Sequence, residues 1–190
     1  MIHDLSPDVK EFLLSYSLVN QMTGLAQAEL LKIYTIIEAG IAEQEWFSSI
    51  DFQTQKSWKW IQVWKKDWHP SHTQMAPWIH FEYMLSWADQ WVQSSVDIET
   101  LKQASAKAVQ DVADLMRQIL SSEKPTLLKN QGWLLNSPLE GNRMLLVKRQ
   151  NINKTEFSAD WIYRIGMESF NQLSQIIPFV DRTLKNLFTL

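Results

Sequence analysis

Seven of the ten tryptophans, Trp58, Trp60, Trp64, Trp68, Trp78, Trp87 and Trp91, crowd the stretch from residue 58 to residue 91. A tryptophan is a large apolar surface with one N–H donor, so such crowding demands an aromatic core or an aromatic contact face. The chain has 190 residues, enough to bury that surface in one domain without staples. Its five glycines argue against phosphate-cradling loops and tight-turned all-β folds. With no cysteine, disulfides, thiolate zinc sites and cysteine nucleophiles are all excluded, which suits a reducing cytoplasm. Residues 1–8 lack the basic and apolar regions of a signal peptide, and no apolar run approaches the ~18 residues of a membrane span. The expected compartment is therefore the cytoplasm.

Spacing of the apolar residues predicts helices. Over residues 7–45, Val9, Phe12, Tyr16, Val19, Thr23, Ala26, Leu30, Ile33 and Ile37 alternate steps of three and four, a heptad-like seam. Ser6 and Pro7 supply its start signals, and Gly24 and Gly40 are its expected points of bending or ending. A second helix is expected from Asp51 to His69, with an apolar arc far wider than the usual ~100°. A third runs from Pro77 through Trp91, and a fourth over residues 98–120, capped by Ser95 or Asp97. Residues 121–153 read as an irregular connector holding a two-stranded ribbon or short helix. Asn153 and Glu156 form a capping box for a last helix, which Pro178 ends or kinks before a short amphipathic tail at 179–190. The expected fold is all-α: one domain over residues 1–190, an elongated antiparallel bundle of four to five amphipathic helices.

Chemical motifs are sparse. His69, His72 and His80 lie near Asp67 and Glu82, but Pro70 separates the first two, and a helix would point His80 and Glu82 to different sides. The expectation is no metal, with His69 and His72 as the weak candidates and His80 as a hydrogen-bonded core residue. Asp111/Asp114 and Glu43/Glu45 read as solvated helix faces. There is no nucleophile elbow, phosphate loop, dinucleotide fingerprint or zinc-protease motif, which weighs against an enzyme. No cofactor is expected.

Lysines interleave with the tryptophans, and the expected contact residues are Trp58, Trp60, Trp64, Lys59 and Lys66. Trp60 and Trp64 lie in the arc that a single neighbour could not cover. The net charge of −3 disfavours nucleic acid. The leading expectation is a non-catalytic interaction protein, an adaptor, inhibitor or accessory factor with a protein partner, homo-oligomers included. A second is an amphipathic coat on a lipid or storage-polymer surface, and a third a ligand-binding protein or enzyme with a tryptophan-lined pocket using His80. The seamed helices at 7–45 and 98–120 resemble in pattern the phasins, which coat polymer storage granules. Phasins are alanine-rich and tryptophan-poor, unlike this chain, so no residue is carried over from them.

Overall fold

The fold turns on two strings of alternating residues. Ile79, Phe81, Tyr83 and Leu85 alternate with His80, Glu82, Met84 and Ser86; Val92, Ser94, Val96 and Ile98 alternate with Trp91, Gln93, Ser95 and Asp97. Successive side chains of a strand point to opposite faces, so each string sorts itself into two faces with period two. The computed structural model describes residues 7–68, 79–86, 90–98, 106–123, 125, 132–136, 144–152 and 155–188. Its elements are α1 (Pro7–Ala42), β1 (Phe52–Lys56), β2 (Trp60–Lys65), β3 (Ile79–Ser86), β4 (Trp91–Ile98), α2 (Ala106–Glu123), β5 (Leu134–Leu135), β6 (Met144–Asn151), α3 (Ala159–Leu173) and α4 (Ile177–Phe188). The six strands form one sheet in the order β1-β2-β3-β4-β6-β5, every pairing antiparallel.

This overturns the all-α bundle. The stretches expected as a second and a third helix are β1 to β4, and Ile98, expected to open a fourth helix, ends β4. The wide arc on the helical wheel has a simple cause. In β2, Ile61 and Val63 face one side and Trp60, Gln62 and Trp64 the other, and a strand shielded on both faces looks apolar all round when wound at 100° per residue. Helix was right at residues 7–42, where α1 runs through both Gly24 and Gly40, and at 106–120 of the expected 98–120; α2 continues to Glu123, into the expected connector. The expected connector is not irregular throughout: it supplies β5 and the eight-residue β6, which sits between β4 and β5 as part of the six-stranded sheet rather than of a separate two-stranded ribbon. The last helices start differently: Ser158 caps α3 by accepting from the Trp161 N–H at 3.1 Å, in place of Asn153, which lies outside the described residues. A 3-10 turn at Ser174–Ile176 then joins α3 to α4, with Pro178 in the first turn of α4. No described helix is long and apolar enough to cross a membrane.

On the first face of the sheet, Ile61, Val63, Phe81, Tyr83, Leu85, Val92 and Val96 meet Leu30, Tyr34, Ile37 and Ile41 of α1 and Ile162, Ile165 and Phe170 of α3 in one core. Trp68, only 1% exposed, closes the β2 end of it. Its ring meets Phe52 and Phe81 edge-on, and its indole N–H donates to Asp181 of α4 at 2.8 Å. Lys65 reaches the other Asp181 oxygen at 2.8 Å, so one carboxylate ties the end of β2 to α4. Tyr83 donates to the Ile162 carbonyl at 3.1 Å, and Ser94 to Ser169 at 2.7 Å, fixing α3 over the central strands. α2 packs on α4, and Arg117 of α2 donates to the Asn136 carbonyl at 2.9 Å.

Close approach of α1, α3 and the sheet requires a glycine at 166. A Cβ there would stand 2.9 Å from Ile37 Cδ1 and 3.2 Å from the Tyr83 ring. Gly166→Val therefore overpacks this junction, and the expected loss is about 2 kcal/mol in urea unfolding. Glu38 of α1 accepts hydrogen bonds from Lys56 and Thr54 of β1. Partial burial pushes its carboxyl up, but the Lys56 and Thr54 hydrogen bonds and the Lys56 charge outweigh that and hold it below the usual range. A carboxylate lowered in the folded state stabilises at neutral pH, and that contribution is lost as the pH falls through its folded value. Glu38→Gln should therefore be less stable than wild type at pH 7 and show a shallower loss of stability between about pH 5 and pH 3.

Candidate metal centre

The second face of the sheet carries the other half of each alternating string, and at His80, Glu82, Gln93 and Ser95 it is polar yet buried. Register fixes which side chains become neighbours. His80 lies opposite Asp97 across β3 and β4; Glu82 lies opposite Ser95 on β4 and Gln62 on β2. His80, Gln93 and Ser95 are buried, with His80 2% exposed, and Glu82 is nearly so. Among the described residues, His80, Glu82 and Asp97 are three potential ligands whose donor atoms all lie within 4.8 Å of one another.

Hydrogen bonding across this face is incomplete. Gln62 donates to Glu82 Oε2 at 2.6 Å, yet His80 Nε2 stands 3.8 Å from that oxygen, beyond hydrogen-bond reach. Neither ring nitrogen of His80 has a hydrogen-bond partner, and neither has the buried Ser95 hydroxyl. The sequence led to a hydrogen-bonded core histidine at position 80; the residue is in the interior, but it lacks those bonds. A buried polar atom left unpaired costs roughly 1–3 kcal/mol, so an imidazole with two of them is an expense for the fold alone.

Spacing of the donors suits an ion. Two atoms each about 2.1 Å from one metal lie roughly 3 to 4.2 Å apart, depending on the angle between them. The 3.8 Å between His80 and Glu82 falls within that range, and the 4.8 Å limit for the three donors lies just outside it. The β4–β6 register shifts beside Asp97: Val96 pairs with Leu146 and Asp97 with Met144, so Leu145 of β6 is the extra residue. Bulges are the device by which sheets re-aim a side chain near a site. Trp60 and Trp64 flank Gln62 on this face, so an apolar wall stands beside the carboxylate it holds. Further along the same face, Arg149 donates to Gln93 at 2.9 Å and lies 5.0 Å over the Trp91 ring.

The residues expected from sequence to make contacts do not converge. Trp64 is 7% exposed and belongs to the interior; Trp60 is half-buried four residues away on the same face. Trp58 and Lys59 sit in the β1–β2 turn, where the Lys59 ammonium lies 4.8 Å over the Trp58 ring and the Lys59 carbonyl accepts from Tyr34 at 3.0 Å. Lys66 is exposed, and it donates to the carbonyls of Ser49 and Ile50. His69 and His72 lie outside the described residues. Sequence reasoning missed Glu82 and Asp97 as partners of His80. The signal was present: positions 80 and 82 share a face of a strand and diverge only on a helix.

Because the fold gains nothing from an unpaired imidazole, His80→Leu in metal-free buffer should be neutral or stabilising, by up to about 1–2 kcal/mol. Urea unfolding with a chelator present checks this; a large loss would mean that the ring is structural. Comparison with protein-family models, with curated proteins and with solved structures finds no match.

Proposed function

We propose that this chain binds a divalent transition-metal ion, zinc-like in its preferences, through His80, Glu82 and Asp97. One observation carries the reading: a buried histidine with both ring nitrogens unpartnered, beside two carboxylates on the same face of adjacent strands. Imidazole with carboxylates suits zinc, iron or manganese better than calcium or magnesium, which favour all-oxygen cages. Three protein ligands leave a coordination position for water or a small ligand, the arrangement of reactive rather than purely structural sites. The apolar shell from Trp60 and Trp64 would keep bulk water away from that position. Within this reading the tryptophan crowding has two uses, core on the first face and wall on the second.

Calorimetric titration of ZnCl2 or MnCl2 into chelator-stripped protein tests it. One equivalent should bind, and at a hundredfold excess over Kd the melting temperature should rise by roughly 5–10 °C. His80→Ala should weaken binding at least a hundredfold, while His69→Ala and His72→Ala leave it unchanged. Binding that survives His80→Ala, or that disappears with His69 or His72, would sink the proposal.

A second reading, the interaction protein, is favoured by a different observation. Before Leu30, the α1 side chains Tyr16, Leu18, Val19, Met22 and Leu25 are all exposed.

A further inference from the structure

Between Asp8 and Glu29 of α1, every residue whose side chain is described is exposed except Gln27, which is half-exposed. At ~1.5 Å per residue this overhang of about 22 residues extends about 33 Å before Leu30 enters the core. Its exposed side chains are not those of a solvated helix. Tyr16 is 57% exposed, Leu18 and Val19 58%, Met22 62% and Leu25 69%. Residues 12–28 contain no Lys, Arg, Asp or Glu. By contrast, the outer face of α3 shows Asp160, Arg164 and Glu168 to solvent. A long exposed helix with a broad apolar side is unstable alone and marks a contact surface.

We infer that the overhang is the seam of an antiparallel homodimer. The stripe that enters the core as Leu30, Ile33 and Ile37 continues outward as Ala26, Thr23, Val19 and Tyr16, at the same alternating spacing of three and four. That stripe is self-complementary when two copies run in opposite directions about a two-fold axis near Gln21. Tyr16 then meets Ala26, large against small, and Val19 meets the near-isosteric Thr23. Met22 lies beside the axis and widens the seam. The pairing stops at the residue where each chain's own core begins, Leu30. Charge argues against a bilayer as the occupant. The run is flanked by Asp8, Lys10, Glu11 and Glu29, three acids to one base, and Lys32 is engaged by Glu29 at 2.6 Å, so the flanks are acidic on balance and do not suit anionic lipid.

The chain has no cysteine, which permits a clean crosslinking test on the full protein. Val19→Cys and Thr23→Cys are each expected to stay uncrosslinked alone and to form a covalent dimer on oxidation when mixed. In sedimentation equilibrium, wild type should show twice the 22.3 kDa chain mass at tens of micromolar. Val19→Glu should be monomeric, its dimer Kd raised at least a hundredfold, with its thermal transition still present. A monomer at 100 µM, crosslinking of Val19→Cys alone as efficient as the mixture, or a monomer that floats with vesicles would each overturn the inference. Metal binding at His80 is unaffected in either case, so the two readings stand or fall separately.

Discussion

Everything in this molecule depends on burying both faces of the central strands. β3 and β4 present an apolar face to α1 and α3, and that face is conventional core. Their other face is buried at His80, Glu82, Gln93 and Ser95 and half-buried at Asp97, Met84, Ser86 and Trp91. An interior polar face must satisfy its groups internally or hold something that does. Gln62, Arg149 and Met144 satisfy part of it through Glu82 and Gln93. The His80 ring and the Ser95 hydroxyl are left over, and they stand beside the carboxylates. Destabilised polar clusters of this kind are what functional sites cost a fold.

The long first helix shows a second conflict between stability and surface. One seam serves two purposes along its length. From Leu30 onward it packs on the sheet and α3; before Leu30 it continues with the same spacing, and Val19, Met22 and Leu25 there are exposed. A sequence that needed only a monomeric cap for the sheet would end the apolar stripe where the sheet ends. The uncharged run over residues 12–28 instead extends it, without the lysines and glutamates that would solubilise a free helix.

How much of this the sequence disclosed depends on the element. The α1 helix was legible because a step pattern of three and four over thirty-odd residues has no strand equivalent. The strands were misread for a specific reason. In β2 both faces are shielded, so Trp60, Ile61, Val63 and Trp64 give no simple alternation, and a helical wheel spreads them into a broad arc. In β3 and β4 the alternation is complete, and it was overlooked because Trp78, Phe81, Leu85, Ala88 and Trp91 also fit helical spacing. That one choice of period hid the site. On a helix, positions 80 and 82 lie far apart in angle; on a strand they are neighbours, and the register with β4 then brings in Asp97. The partnership of His80 with Asp97 is long-range and depends on strand pairing, which residue spacing alone does not give.

A crystal structure grown with Zn2+ and measured at the zinc absorption edge tests the central claim most directly. The predicted result is an anomalous peak about 2.1 Å from a His80 ring nitrogen and from oxygens of Glu82 and Asp97. A peak elsewhere with none at His80, or an imidazole with both ring nitrogens hydrogen-bonded to protein groups in the metal-soaked crystal, would contradict it.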